Sequence, residues 1–271
     1  MRTAIPQETG RPIITLLTDF GTRDAYVAAM KGVILGINPR AVLVDLTHEI
    51  PPQDIRAGAL VLAGAVPYFP PGTIHLAVVD PGVGGSRRAL AAWGQGRLWV
   101  GPDNGLFHFA FAGHDEARIV SLENRAFFLP QVSATFHGRD IFAPVAAHLS
   151  LGLDLARLGP PLTDPVLLDW PEAEYGPDAA RGEVIYVDRF GNLVTNFQAG
   201  ELLDWLGGRD LRLKLGGLTL RGLARTYGDR AAGEFLALVG SHGFLEVACN
   251  QESAARRLGG GVGAPLEIWP E

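Results

Sequence analysis

The sequence is poor in cysteine and in lysine. Of its 271 residues one is a cysteine, Cys249, and Lys31 and Lys214 are the two lysines. A single thiol excludes an internal disulfide and any zinc site built on several cysteines. We assign no role to Cys249. The shortage of lysine is typical of a GC-rich genome and indicates no function.

The chain also lacks the features of a membrane, secreted or nucleic-acid-binding protein. No uninterrupted apolar run reaches the roughly 18 residues that a membrane span needs. The polar residues 1–12 lack the apolar centre of a signal peptide. The net charge of -6 argues against general nucleic-acid binding, and 47% hydrophobic with 19% charged residues is typical of a globular protein. We therefore expect a cytoplasmic protein without nucleic-acid or membrane partners.

Sequence signatures of metal and cofactor sites are missing as well. The 7 histidines include no HExxH or similar pair, so we expect no metal. The glycine-rich stretch 82–88 matches neither a phosphate-binding loop nor the dinucleotide fingerprint. We predict a protein that works without a cofactor.

The first half of the chain alternates strand-like and helix-like segments. Alternation of this kind, with short connections, predicts an α/β domain with a mostly parallel sheet. The predicted strands are 13–17, 41–46, 73–79 and 98–100, and the predicted helices are 24–37, 54–66 and 142–151. Loops that follow the carboxyl ends of such strands are the expected binding crevice. Asp19 and Asp80 lie at two of these points.

The second half has a different character. Residues 158–181 contain five prolines and form a linker or an extended segment. Short strand-like runs separated by turns follow, and they predict a smaller all-β domain that resembles a barrel. We predict an α/β domain over 12–160, a linker over 161–181 and a β-barrel-like domain over 182–271.

The strongest local feature is the segment 79–88, VDPGVGGSRR. Asp80 ends a hydrophobic strand, a flexible glycine-rich turn follows, and Arg87 and Arg88 come next. The turn can fold either arginine back to Asp80, which gives a charge-paired site with an ionised carboxylate. The alternative is a solvated turn with a surface ion pair of little energetic value.

Three further positions carry polar groups in suggestive surroundings. His137 lies in TFHGRD, before a helix-like stretch, and is either structural or catalytic. Asp19 could accept hydrogen bonds from ribose hydroxyls or cap the helix that begins near Asp24. Residues 188–196, DRFGNLVTN, could recognise a purine through amides and an aromatic ring, or could simply form a hairpin with its turn at Gly191-Asn192.

Together these segments resemble one family, the S-adenosyl-L-methionine hydroxide adenosyltransferases, relatives of the fluorinases and chlorinases. The resemblance runs from about residue 13 to the C-terminus. It is carried by TDFG (18–21), DLTHEIPPQDI (45–55), YFPPGTIHLAVVDPGVGGSRR (68–88), GPDNGL (101–106), TFHGRDIFAPVAA (135–147), DRFGNLVTN (188–196) and SHGFLEVACNQESAARRLG (241–259). Several independent motifs occur in the family's order.

The resemblance implies both a fold and an activity. The fold is an N-terminal α/β domain with a C-terminal β-barrel domain. The assembly is a homotrimer with each active site between the N-domain of one subunit and the C-domain of the next. The activity is hydrolysis of S-adenosylmethionine to adenosine and methionine.

The resemblance also implies roles for individual residues. The catalytic set falls on Asp80, Arg87 and His137, and the ribose-binding carboxylate on Asp19. The adenine and methionine contacts fall on Asp188, Phe190, Asn192 and Ser241. Where the halogenases carry Ser-Arg this chain has Ser241-His242, so we assign no methionine-carboxylate role to His242.

Several questions stay open at this level. Either Asp80 or His137 could be the base that activates water. A halogenase on the same scaffold is one alternative. As the resemblance has it, however, the halogenases carry an aromatic residue where this chain has Asp80, and they have an inserted loop after the glycine-rich turn. A non-catalytic sensor of adenosine or S-adenosylmethionine is the other.

Overall fold

The computed structural model describes residues 10–271, in two compact units that divide after Leu168. Within those residues no helix is long and apolar enough to cross a membrane. Each unit has its own hydrophobic core, the first including Phe142 and the second Phe197, both completely buried.

The first unit is built on a six-stranded sheet with the strand order β2-β1-β3-β5-β4-β6. The strands are β1 (Ile13–Thr18), β2 (Val42–Thr47), β3 (Ile74–Val78), β4 (Ala89–Gly94), β5 (Arg97–Pro102) and β6 (Arg118–Ser121). Strands β2, β1, β3 and β5 pair in parallel, whereas β4 pairs antiparallel with β5 and β6. The expected α/β fold is confirmed, with a sheet that is mixed at one edge.

Four helices accompany this sheet within residues 10–168. They are α1 (Tyr26–Ile37), α2 (Ile55–Ala65), the short α3 (His108–Phe111) and α4 (Ala143–Ser150), and a π-helical turn, Gly138–Phe142, leads directly into α4. The side chain of Asp54 caps α2 by accepting a hydrogen bond from the backbone N–H of Ala57 at 2.9 Å. Helix α1 starts at Tyr26 without such a side-chain cap. Short 3₁₀ turns cover Val66–Tyr68, Arg125–Phe127 and Leu155–Arg157.

Strands β4 and β6 were not expected from the sequence. Strand β4 reads ALAAWG, and its small residues carry little of the β-branched signal by which strands are recognised. Strand β6 has four residues and lies at the sheet edge. Both become strands because β5 supplies hydrogen-bonding partners to β4, and β4 supplies them to β6.

The second unit contains an antiparallel sheet with the order β11-β10-β14-β8-β9-β13-β12, and β7 pairs with β8. Its strands are β7 (Glu174–Tyr175), β8 (Ala180–Val187), β9 (Leu193–Gln198), β10 (Leu211–Leu215), β11 (Leu218–Arg221), β12 (Phe235–Val239), β13 (Phe244–Cys249) and β14 (Pro265–Pro270). A bridge between Ala224 and Leu238 brings the chain after β11 against β12. The sheet is thus nearly closed, and the predicted barrel-like domain is confirmed.

Two helices and one 3₁₀ turn connect these strands. They are α5 (Ala199–Leu206), α6 (Ala254–Leu258) and Tyr227–Asp229. Helix α6 begins at Ser253, whose hydroxyl accepts a hydrogen bond from the backbone N–H of Arg256. The residues 158–168, which the sequence assigned to the end of the first domain and to the linker, lie in the first unit, and 169–173 precede β7 in the second.

Replacing the capping carboxylate of α2 tests the contribution of this bond. We expect Asp54→Ala to lower the free energy of unfolding by about 1 kcal/mol, because one N–H of the first helical turn loses its acceptor. Asp24→Ala is the matched control, since Asp24 is exposed near the start of α1 and does not cap it. Urea unfolding of both variants measures the difference, and equal stabilities would contradict the prediction.

Candidate active site

A buried ion pair between Asp80 and Arg87 is the centre of the site in the first unit. Nε of Arg87 donates to both carboxylate oxygens of Asp80, at 2.9 and 3.0 Å, and its Nη2 donates to Oδ2. The side chains are only 3% and 11% exposed. A fork of this kind fixes the orientation of a carboxylate more strongly than a single contact. The alternative of a solvated surface ion pair therefore does not describe this contact.

The glycine-rich turn that joins the two residues is tightly folded. Successive backbone hydrogen bonds run from Val83 N to Asp80 O and from Gly85 N to Gly82 O. Gly84 has a φ of +75°, and a Cβ atom there would lie 2.1 Å from the carbonyl oxygen of Ala134. Only glycine fits such a position, because a side chain would meet both backbone strain and a direct clash. The turn thereby returns Arg87 to Asp80.

His137 completes the set. It stands directly before the π-helical turn, a feature that often occurs at functional sites. Its Nδ1 lies 2.7 Å from Nη2 of Arg87. Because a guanidinium can only donate, Nδ1 must accept, and in the neutral ring the proton lies on Nε2. Burial lowers the pKa of His137 and the neighbouring charge of Arg87 lowers it further.

The second arginine of the motif has a different partner. Nε of Arg88 donates to Asp103 at 2.7 Å, and its Nη1 donates to Asp164. Asp103 is also an acceptor for the backbone N–H of Val166. Arg88 therefore ties the loop after β5 to the segment that ends the first unit. Of the two arginines that could have paired with Asp80, the structure selects Arg87.

Asp19 follows β1, as Asp80 follows β3. Its Oδ2 accepts a hydrogen bond from the backbone N–H of Gln53 at 2.8 Å, and Gln53 has a φ of 68°. Helix α1 begins after Ala25 and receives no side-chain cap, so Asp19 does not serve as its capping residue. Binding of ribose hydroxyls by Asp19 stays a prediction.

Three aromatic rings connect the Asp19 turn with the segment that carries His137. Phe20, Tyr26 and Phe136 meet edge to face, with centroids 5.2 to 6.0 Å apart. A Cβ atom on Gly138 would approach both Phe20 and Phe136 within 3.4 Å. Edge-to-face packing of this kind holds rings in a defined geometry. The two polar loops are thus fixed relative to each other by apolar contacts.

In the second unit the predicted residues Asp188, Phe190 and Asn192 belong to one hairpin turn between β8 and β9. Oδ1 of Asp188 accepts from the backbone N–H of both Phe190 and Asn192, and Oδ2 accepts from Nδ2 of Asn192 at 2.9 Å. The hairpin interpretation of this segment is confirmed. The turn leaves Phe190 78% exposed, while Asn192 is buried.

The turn itself depends on Gly191. This residue has a φ of +84°, and a Cβ atom on it would lie 2.0 Å from the hydroxyl oxygen of Ser253 at the start of α6. The carbonyl of Gly191 accepts the N–H of Ala255. Ser241 lies exposed in the turn between β12 and β13.

Sequence reasoning missed two residues beside this turn. Glu246, on β13, is 3% exposed, and the hydroxyl of Tyr227 donates to its Oε2 at 3.1 Å. Nδ2 of Asn192 reaches the same hydroxyl at 3.5 Å. Burial raises the pKa of Glu246, and burial with the charge of Glu246 raises that of Tyr227 to about 12. A glutamate inside the apolar run FLEVAC was the available signal.

His242 lies at the edge of the same cluster. Its Nδ1 is 3.9 Å from Oε1 of Glu246. A Cβ atom on Gly240 would lie 1.8 Å from that oxygen, so the turn that carries Ser241 and His242 closes directly over the glutamate. A side chain at Gly240 would displace the carboxylate of Glu246 from this position.

Within residues 10–271, no group of three or more His, Cys, Asp or Glu side chains has an arrangement that could hold a metal ion. The expectation of a metal-free protein stays a prediction.

Two family models match the chain. The one described as SAM hydroxide adenosyltransferase N-terminal domain matches residues 14–159, and the one for the C-terminal domain matches residues 182–267. Together they span the two units that the structure separates.

Relatives of known name fall into two groups. A protein of Salinispora tropica named (R)-S-adenosyl-L-methionine hydrolase is 46% identical over 95% of this chain and 97% of its own length. One of Thermus thermophilus with the same name is 42% identical over 95% and 99%. A protein of Actinoplanes named fluorinase is more distant, at 28% identity over 89% of this chain and 92% of its own.

Solved structures agree with this fold. A crystal structure of an uncharacterized conserved protein from Thermotoga maritima has a TM-score of 0.88 and 39% identity, covering 94% of this chain and 99% of that one. A conserved hypothetical protein from Thermus thermophilus has a TM-score of 0.76 and 41% identity, with 95% and 99% covered.

The electrostatic state of His137 can be measured directly. We expect its pKa to lie below the free-histidine value of about 6.5, because burial and Arg87 both disfavour the charged ring. In Arg87→Gln the pKa should rise, since the positive neighbour that lowers it is lost. NMR titration of the imidazole measures both values.

Arg88→Gln is the control for this titration. Arg88 is next in sequence but bonded to Asp103 and Asp164, so its removal should leave the pKa of His137 unchanged. An equal shift in both variants would mean that the effect is not specific to the Arg87 contact.

Proposed function

Because this chain belongs to the SAM hydroxide adenosyltransferase family, we propose that it hydrolyses S-adenosyl-L-methionine to adenosine and L-methionine. Relatives named (R)-S-adenosyl-L-methionine hydrolase are 37 to 46% identical to this chain over at least 91% of its length. The observation in the molecule that carries the proposal is the buried Asp80–Arg87–His137 set, which presents two polar groups suited to hold a water molecule.

The reaction is a displacement at C5′ of the ribose. The oxygen of water forms a bond to C5′, the bond from C5′ to sulfur breaks, and its electron pair stays on sulfur. The sulfonium thereby becomes the neutral thioether of methionine, so no acid is needed to protonate the leaving group. The water must lose one proton to a base, and correct placement of the two reactants can supply about 7–11 kcal/mol at best.

The geometry favours Asp80 as the base. Nδ1 of His137 accepts from Arg87, so the neutral ring carries its proton on Nε2 and can donate to the water but not accept from it. Oδ1 of Asp80 accepts one contact from Arg87 and keeps a lone pair for the water, whereas Oδ2 accepts two. Asp80 therefore takes the proton while His137 orients the water. Arg87 stabilises the developing hydroxide character.

Substrate binding is assigned to both units. Asp19 accepts hydrogen bonds from the ribose hydroxyls, and Phe190 offers an exposed ring for stacking on adenine. Asp188, Asn192 and Ser241 contact the adenine and methionine parts. The carboxylates suit a substrate that carries an ammonium and a sulfonium group. The reaction requires no metal and no cofactor.

Halogenation and binding without turnover are the competing functions. A halide placed beside the buried Asp80 carboxylate would be repelled, which favours water as the nucleophile. A sensor would bind S-adenosylmethionine or adenosine without forming product. Incubation with S-adenosylmethionine distinguishes both alternatives from hydrolysis by the product that forms.

The assembly proposed is a homotrimer in the cytoplasm. Each active site would take Asp80, Arg87 and His137 from one subunit and the Asp188 turn from the next. The basis of this assignment is the resemblance to the family, and it is tested separately.

Incubation with S-adenosylmethionine in ¹⁸O-labelled water tests the reaction. We expect label in the 5′-hydroxyl of adenosine, and a reduction of about 10²- to 10⁴-fold in Asp80→Asn because the base is lost. Adenosine binding, measured by calorimetry, should persist in that variant. Asp164→Asn is the control, since this exposed carboxylate contacts Arg88 instead.

Three results would count against the proposal. Intact substrate despite saturable binding would indicate a sensor. A halide-dependent 5′-halogenated product would indicate a halogenase. Unchanged turnover in Asp80→Asn would refute the assignment of the base.

Complementation tests the shared site. Asp80→Asn and Asp188→Asn should each be weakly active as pure proteins. After the two variants are mixed in equal amounts and exchange subunits, a site is intact when its Asp80 comes from the Asp188→Asn variant and its Asp188 from the Asp80→Asn variant. Each of these conditions is met in about half of the sites, so about a quarter of wild-type activity should return. No recovery in mixed trimers would place all the required residues within one subunit.

A further inference from the structure

A continuous polar network lies beneath the Asp19 turn and has no part in the site described above. The hydroxyl of Thr18 is 2.9 Å from Nδ1 of His48. Nε2 of His48 is 3.0 Å from Oδ1 of Asp45, although the contact is bent away from ideal hydrogen-bond geometry. Nζ of Lys31 donates to the other oxygen of Asp45 at 2.6 Å. The network runs from the completely buried Thr18 to the partly exposed Asp45.

With His48 neutral, each bond in this network has one direction. Burial alone would raise the pKa of Asp45, but the contacts with Lys31 and His48 outweigh burial and lower it, so this group is an ionised acceptor. A carboxylate 3.0 Å from Nε2 requires the proton of His48 on that nitrogen. In the neutral ring Nδ1 is then an acceptor, and the hydroxyl of Thr18 donates to it.

The same network holds the turn that contains Asp19. The backbone N–H of Phe20 donates to the hydroxyl of Thr18 at 3.2 Å, and that of Gly21 donates to the carbonyl of His48 at 2.7 Å. Asp19 thus lies between Thr18 and Phe20, which this bond joins, and the next residue, Gly21, is bonded to His48. The hydroxyl of Thr18 accepts from Phe20 through a lone pair while its own proton is donated to His48.

We propose that His48, through Thr18, is a positioning residue for the Asp19 carboxylate and so controls how tightly the ribose hydroxyls of the ligand are bound. This inference rests on the proposed function, in which Asp19 contacts the ribose. His48 itself is buried and touches no ligand. Its effect reaches the ligand only through the turn at residues 18–21.

The chain contains a closely matched pair for comparison. Thr15 and His75 are also completely buried, and the hydroxyl of Thr15 lies 2.8 Å from Nδ1 of His75. Thr15 is on the same strand as Thr18, and it pairs with His75 in the register of β1 and β3. Burial lowers the pKa of His75 to about 3, so its ring is neutral. This pair contacts neither Asp19 nor its turn.

Replacement of each threonine by valine tests the proposal. Both changes remove one buried hydroxyl and keep the shape of the side chain. We expect Thr18→Val to weaken adenosine binding about five- to tenfold, in line with the loss of one or two hydrogen bonds that hold the turn. Thr15→Val should leave adenosine binding within about twofold of wild type. Thr18→Ser, which keeps the hydroxyl, should restore it.

Two further measurements separate positioning from a general loss of structure. Binding of 2′,3′-dideoxyadenosine should be equal in wild type and Thr18→Val, because that ligand offers no hydroxyl to Asp19. In an Asp19→Asn background the effect of Thr18→Val on adenosine should fall below about twofold, since coupled residues are not additive. Calorimetry with each purified full-length protein measures all of these affinities.

The possible results lead to distinct conclusions. Equal effects of Thr18→Val on adenosine and on the dideoxy ligand, or full additivity with Asp19→Asn, would overturn the positioning role. A Thr15→Val effect as large as that of Thr18→Val would do so as well. Failure of the wild-type protein to form adenosine from S-adenosylmethionine would instead overturn the proposed function, and the binding measurements would still decide whether the Thr18 hydroxyl, which joins His48 to the turn, positions Asp19.

Discussion

The guanidinium of Arg87 is bonded to two groups, and the candidate chemistry depends on both contacts. It donates to the carboxylate of Asp80 through a fork and to the imidazole of His137 through Nη2. One contact stabilises a negative charge in a nearly buried position, and the other keeps a histidine neutral and fixes its tautomer. Without Arg87, Asp80 would be a buried charge without its partner, which is a costly arrangement.

The surrounding fold places these three side chains within reach of each other. Parallel strands β1 and β3 end at the same edge of the sheet, so Asp19 and Asp80 emerge on that edge. The turn after β3 is compact because Gly84 tolerates both a positive φ and the nearby Ala134 carbonyl. The rings of Phe20, Tyr26 and Phe136 then hold the His137 segment next to the Asp19 turn. Polar chemistry at this edge is thus supported by glycine geometry and aromatic packing.

The second unit also depends on glycine residues at turns that place polar side chains. Gly191 allows the Asp188 turn to pack against the start of α6, and Gly240 leaves room for the carboxylate of Glu246. Asp188 accepts three hydrogen bonds from its own turn, so its carboxylate has a defined orientation. The turn exposes Phe190 and keeps Asn192 in place. A rigid, pre-oriented surface of this kind reduces the ordering that binding requires.

Sequence alone determined the α/β and barrel-like classes of the two domains, since hydrophobic periodicity and turn residues report directly on local structure. It also indicated, through the family's motifs, the residues to examine: Asp19, Asp80, Arg87, His137 and the Asp188 turn. Strands β4 and β6 were not predicted because their strand character comes from pairing with neighbouring strands rather than from their own residues. The partner of Asp80, the tautomer of His137, and the links from Thr18 to His48 and from Tyr227 to Glu246 were decided only by the tertiary structure. These contacts join residues 7 to 50 positions apart, so local sequence patterns do not report them. The direction of each hydrogen bond also depends on the charged group at the end of its network.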